Sequence, residues 1–166
     1  MTLRKPEYIE PFPDMKLDVD LMAKEFNSIK HLGYEVNKPN IPVIPYHNVN
    51  VITKNKDLGI LSLIPYTSDV ITELRSKYDF DTVTYRSLFP STCYRWHNDY
   101  GEICFNIPVI TNIGSLFVFE DRAFHMPADG TIYVVNQEKY HTFVNAGETI
   151  RTHLLFENLN KKTLMV

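Results

Sequence analysis

A chain of 166 residues with 44% hydrophobic and 22% charged residues has the size and balance of one domain with a substantial core. A formal net charge of −3 excludes a general electrostatic attraction to nucleic acid or anionic lipid, and no run nears the ~18 consecutive apolar residues of a membrane span. Two cysteines make no disulfide framework, and no apolar stretch follows the basic N-terminal residues as in a signal peptide; reduced thiols in a cytoplasmic protein, with no nucleic-acid or membrane partner, are expected.

Pro6, Pro11 and Pro13 make residues 1–14 an extended arm that cannot join a regular ladder throughout. Asp18 caps a predicted helix over 19–32, in which Val19, Met22, Phe26, Ile29 and Leu32 recur every three or four residues. Gly33 stands at the expected stop. Pro39, Pro42 and Pro45 mark a stiff link that includes His47, and 49–53 reads as a strand. A second helix is predicted from Ser68, with Val70, Ile71, Leu74 and Tyr78 on its apolar face. Arg75 and Lys77 lie near its C-terminal end, where cations suit the helix dipole.

Beyond residue 82 the pattern shortens. Strands are predicted at 82–89, 93–97, 103–111, 115–120, 131–135, 141–145 and 150–156, separated by turn signals such as Asp129-Gly130 and Asn145-Ala146-Gly147. Short strands with tight turns indicate a mainly β jelly roll, braced on one outer face by the two helices. The expected organisation is a single domain over 1–166. Residues 1–80 supply arm, helices and first strands, and 82–157 the core that carries the site.

That site is read from His97-Asn98-Asp99, His141 and Arg151. On a strand, residues i and i+2 project to one side, so His97 and Asp99 face one point, and His141 opens a later strand. Two imidazoles and a carboxylate suit one face of an octahedral non-haem Fe(II), with positions left for a chelating co-substrate and O₂. Arg151 offers a guanidinium fork to a carboxylate. A His-x-Asp pair taken alone equally describes a surface ion pair at a strand end. His31, His47 and His125 read as solvated, the last in a loop. His153 shares the strand face of Arg151 and either lines the pocket or is a hydrogen-bonded core residue. Tyr94, Trp96, Phe105, Phe117 and Phe119 are candidate walls. Asn136 and Asn145, on either side of His141, either orient ligands or form turns.

The stretch 82–157 resembles the aspartyl/asparaginyl β-hydroxylase family of 2-oxoglutarate oxygenases. The matching landmarks are Leu88-Phe89-Pro90, His97-Asn98-Asp99, the run from Asn106-Ile107-Pro108 to Asn112, the run from Ala128 to Asn136, His141 to Asn145, and Arg151-Thr152-His153-Leu154. The resemblance implies a cupin-like double-stranded β-helix, with Fe(II) held by His97, Asp99 and His141. It also implies Arg151 as partner of the distal 2-oxoglutarate carboxylate, and an amino-acid side chain, free or in a peptide or protein, as substrate. Two positions depart from the family pattern. Cys104 and Asn106 stand where members usually place the Arg and His that hold the co-substrate near the metal. Asn106 can still donate one amide hydrogen bond, and Arg86 and Arg95 are candidate replacements. Asp99 fills a position that halogenases of this chemistry leave open, so hydroxylation is the implied outcome. Two competing readings are a metal cupin that does not use 2-oxoglutarate, with Arg151 binding substrate, and a non-catalytic jelly-roll binding module.

Overall fold

A computed structural model describes residues 4–36, 46–99 and 103–159; the link at Pro39, Pro42 and Pro45 lies outside these. In chain order come β1 (Ile9–Lys16), α1 (Val19–Ile29) with a 3-10 turn (Lys30–Leu32), β2 (Tyr34–Val36), β3 (Tyr46–Thr53) and β4 (Lys56–Asp57). A 3-10 turn (Leu61–Leu63), α2 (Pro65–Lys77), β5 (Thr82–Leu88), β6 (Thr92–Cys93) and β7 (Ile103–Ile110) follow. The chain continues with β8 (Ser115–Phe119), β9 (Ala123–His125), β10 (Thr131–Asn136), β11 (His141–Asn145) and β12 (Arg151–Glu157).

Among the described residues the strands form two antiparallel sheets. The larger runs β1-β10-β7-β12-β5-β3-β2, with β4 beside β3, and the smaller runs β6-β11-β8-β9. This is the jelly roll expected from strand spacing. Both helices cover the outer face of the large sheet: Met22, Phe26 and Ile29 of α1 and Val70, Ile71 and Leu74 of α2 share one core with Val83, Tyr85, Phe105, Ile107, Leu154 and Phe156. A second cluster, containing Leu88, Cys104, Phe117, Phe119, Val135 and Phe143, fills the space between the sheets. Central strands β7 and β12 are therefore buried on both faces, which explains their unbroken burial in place of an alternating pattern. Phe105 consequently packs on the helix side and is no wall of the inter-sheet cavity.

Local expectations met tertiary corrections at several points. The arm joins the sheet without forming a regular ladder throughout: β1 pairs with β10 at the edge, where prolines are tolerated, and its register shifts between Phe12 and Lys16. Asp18 caps α1 by accepting from Leu21 N, but the α-helix ends at Ile29 and Leu32 is exposed. Gly33 is extended (φ −82°), so its role is not a left-handed stop. A Cβ there would lie 2.3 Å from the His47 ring and 2.5 Å from the Asn48 carbonyl oxygen. Close approach demands the glycine.

Helix α2 starts at Pro65, ahead of Ser68, because its cap comes from α1. The buried Glu25 carboxylate accepts from Tyr66 N (2.7 Å), Thr67 N (2.9 Å) and Thr67 Oγ1 (2.7 Å), satisfying N-terminal donors no local residue serves. His47 and His125 both lie in strands, β3 and β9. The strand predicted at 93–97 shortens to β6, with one further bridge at His97. No helix among the described residues is long and apolar enough to cross a membrane.

Candidate metal centre

His97 and Asp99 follow β6, and His141 opens β11. The chain at 97–99 is not a strand, yet backbone bonds hold it against the β10–β11 turn. His97 N donates to His141 O (3.1 Å), His141 N donates to His97 O (2.8 Å), and Asp99 N donates to Gln137 O (2.8 Å). The three side chains converge, one donor atom from each lying within 4.8 Å of the others. His97 Nε2 and Asp99 Oδ2 are 3.8 Å apart.

Each imidazole is oriented by a carbonyl two residues back. His97 Nδ1 donates to Arg95 O (2.9 Å) and His141 Nδ1 donates to Lys139 O (2.8 Å). Because a carbonyl only accepts, both rings are held in the tautomer whose Nε2 lone pair is free. His141 is fully buried, stacks on Phe117 at 4.9 Å between centroids, and leaves Nε2 without a partner among the described residues. Burial pushes its pKa down to about 4, so the ring is neutral near pH 7. A buried lone pair with no donor facing it, beside a second imidazole and a carboxylate, fits a divalent metal, and this donor set suits Fe(II).

A second polar group lies on the interior face of the large sheet. Arg151, at 3% exposure, donates from Nε to His153 Nε2 (3.2 Å), and His153 Nδ1 donates to Asn106 Oδ1 (2.6 Å). One neutral tautomer of His153 serves these two bonds, and Arg151 Nη2 also lies 3.0 Å from His153 Nδ1. Burial first, and the Arg151 charge second, keep the His153 pKa well below its ordinary value. The Arg151 guanidinium lies 5.2 Å from the Phe143 ring, and among the described residues no carboxylate pairs with it. Burial, then repulsion from Arg86, lowers its pKa to about 9.

The remaining expected residues divide. Arg86 faces this interior, but its Nη2 is paired with Glu157 Oε1 (3.2 Å) and its guanidinium lies over Tyr46. Arg95 is exposed and contributes only its carbonyl, and Trp96 is 51% exposed, so neither lines the interior. Asn136 ties the N-terminal arm to its turn, donating to Pro6 O and Glu7 O. Asn145 donates to Leu88 O, Phe89 O and Thr149 O while accepting from Gly147 N. Both asparagines are turn anchors that do not touch the imidazoles. Asn48, opposite Arg86 in register, and Glu157, paired with Arg86, were not singled out from the sequence. The signal for Asn48 was the alternation Tyr46, Asn48, Asn50 against Val49, Val51, a polar inner face on a strand.

No family model matches the chain, and no curated protein matches it. Solved structures do. An oxidoreductase of the 2OG-Fe(II) oxygenase family from Burkholderia pseudomallei superposes with a TM-score of 0.63 at 14% identity, covering 90% of this chain and 84% of that one. AviO1 from Streptomyces viridochromogenes gives 0.61 at 12% identity, covering 94% and 91%. A Pseudomonas putida prolyl-4-hydroxylase gives 0.58 at 11% identity, covering 93% and 94%. At such identities the likeness is one of fold: the chain has the jelly roll on which those proteins are built.

Proposed function

We propose that this protein is an Fe(II)- and 2-oxoglutarate-dependent dioxygenase that hydroxylates an amino-acid side chain, free or within a peptide or protein. We place it, on the motifs from Leu88 to Leu154, with the aspartyl/asparaginyl β-hydroxylases, acting in a reducing cytoplasm. The carrying observation is Arg151: a buried guanidinium, held along one edge by His153 and facing no carboxylate among the described residues, in a fold that also brings together three side chains able to hold a metal. An uncompensated buried cation is costly, and a dicarboxylate that reaches it from the metal supplies the missing anion. The shared fold with 2OG-Fe(II) oxygenases and a prolyl hydroxylase supports the same reading.

His97, Asp99 and His141 would hold the iron. Bound with 2-oxoglutarate, it would supply O₂ activation coupled to oxidative decarboxylation of the co-substrate to succinate and CO₂, with one oxygen atom going to succinate and the other into a substrate C–H bond. The chain itself does the rest. The Arg95 and Lys139 carbonyls fix the imidazole tautomers, Arg151 receives the distal carboxylate, and His153 with Asn106 aims Arg151. Phe117, Phe143 and Tyr94 pack apolar ring surface against the two imidazoles.

Anaerobic titration with Fe(II), then 2-oxoglutarate, tests this. A visible metal-to-ligand charge-transfer band is expected only when both sit on one iron. Iron binding without the band favours the second reading, a metal cupin in which Arg151 holds the substrate. The presence of Cys104, at best a weak donor, supports that alternative. Failure to bind iron leaves a non-catalytic module.

A further inference from the structure

Beyond Arg151, the inner face of the large sheet carries a second set of polar groups whose bonding is incomplete. Asn48 on β3, Arg86 on β5 and His153 on β12 lie opposite one another in register, so their side chains leave the sheet on one face. Asn48 is 6% exposed, and its buried Oδ1 has no partner among the described residues. Arg86 Nε is likewise buried without one, while Nη2 holds Glu157 Oε1. One orphan can only accept and the other can only donate. Buried polar atoms are rarely left so, and two of opposite polarity on neighbouring strands indicate a ligand that offers both.

We infer, building on the oxygenase reading, that Asn48, Arg86 and Glu157 form the head-group subsite for a free α-amino acid. The substrate carboxylate accepts from Arg86, and its ammonium donates to Glu157 and to Asn48 Oδ1. Charge balance selects this class. Arg86 and Glu157 already neutralise one another, so a lone anion competes with Glu157 and a lone cation with Arg86, whereas a zwitterion serves both. The same carboxylate makes Arg86 a poor second holder of 2-oxoglutarate. A residue inside a peptide has neither charge to offer. The subsite is joined to the metal centre by a wall of rings: Arg86 lies 5.7 Å from the Tyr46 centroid, Tyr46 5.3 Å from Tyr94, and Tyr94 4.9 Å from His97. A head group at Arg86 thus leaves the side chain directed along that wall toward His97.

The test is anaerobic calorimetry on the protein loaded with Fe(II) and 2-oxoglutarate, adding each common L-amino acid and its N-acetyl methylamide. At least one free amino acid should bind, and its capped form should bind more than about tenfold more weakly, as loss of a charge-assisted contact requires. Glu157→Gln and Asn48→Ala should each weaken the free acid by about tenfold or more while 2-oxoglutarate affinity stays within about twofold. Asn48→Ala breaks no side-chain bond among the described residues, so it tests the idea even if Glu157→Gln fails to fold, and Asn48→Asp should restore binding. Equal binding of capped and free forms overturns the inference. So do variants that shift only the 2-oxoglutarate requirement. The charge-transfer band reads the two ideas apart: a band with no amino-acid binding overturns the subsite alone. Amino-acid binding without the band keeps the subsite and overturns the oxygenase reading.

Discussion

His97 and His141 are partners twice over, since each backbone N–H donates to the other's carbonyl and their rings lie 4.3 Å apart. The isolated bridge between them, beyond the end of β6, therefore sets the separation of the two imidazoles. Strand pairing and metal geometry are one constraint here.

Replacing His141 by Ala should remove metal binding while β11 still pairs through its backbone. Outer contacts to metal ligands are worth about 10–100-fold in affinity, so loss of a ligand should exceed about 100-fold. Equilibrium dialysis with Fe(II) or Co(II) measures it, and retention of metal in the variant would refute the assignment.

Arg151→Met should have opposite effects on binding and stability. The 2-oxoglutarate-induced rise in melting temperature should vanish. The ligand-free protein should become more stable by about 1–4 kcal/mol, because an uncompensated buried cation is replaced by apolar volume. Chemical denaturation with and without 2-oxoglutarate reads both, and a destabilised ligand-free variant would count against an anion site.

Acid should destabilise the metal-free protein through His141. Burial lowers its pKa from an ordinary 6.5 to about 4, so between these values the unfolded chain binds more protons than the folded one. Stability is then fully present above about pH 6.5 and drains as pH falls toward 4, by roughly 3 kcal/mol for this group. His153, pushed the same way, adds to the slope. Melting temperatures in chelator across this range should fall less steeply for His141→Phe than for the parent.

Gly33→Ala should cost about 1–3 kcal/mol, since the added methyl meets the His47 ring and the Asn48 carbonyl at under 2.6 Å. An unchanged denaturation midpoint would show that β3 yields at that point. Asn145→Ala should cost on the order of 2–3 kcal/mol by removing the side-chain donor to the Leu88 and Phe89 carbonyls, Thr149 O keeping Asn112 Nδ2, with metal affinity unchanged. A selective loss of metal binding would return Asn145 to a ligand-orienting role.

Much of this architecture was legible beforehand. The strand at 141–145 coincides with β11, and those at 82–89, 103–111 and 115–120 differ from β5, β7 and β8 by one terminal residue. Strands β2, β4 and β9, two or three residues each, are too short to carry a period, and prolines concealed β1. His97, Asp99, His141 and Arg151 were singled out by type and spacing, and the structure brings the donor atoms of the first three together. The state of Arg151 was not legible, since burial and the lack of a carboxylate are properties of surroundings.

By itself the sequence determined what acts locally: hydrophobic period, turn residues, the Asp18 cap and the donor types available to a metal. Only the tertiary structure decided which distant groups meet. Glu25 caps α2 across 42 positions, and His153 joins Asn106 across 47. Asn48 stands opposite Arg86 because β3 and β5 pair there in the register that sets Tyr46 against Leu88, which shifts only beyond Asn50. Register is a global outcome, set by which side chains the two sheets and the helices can bury together.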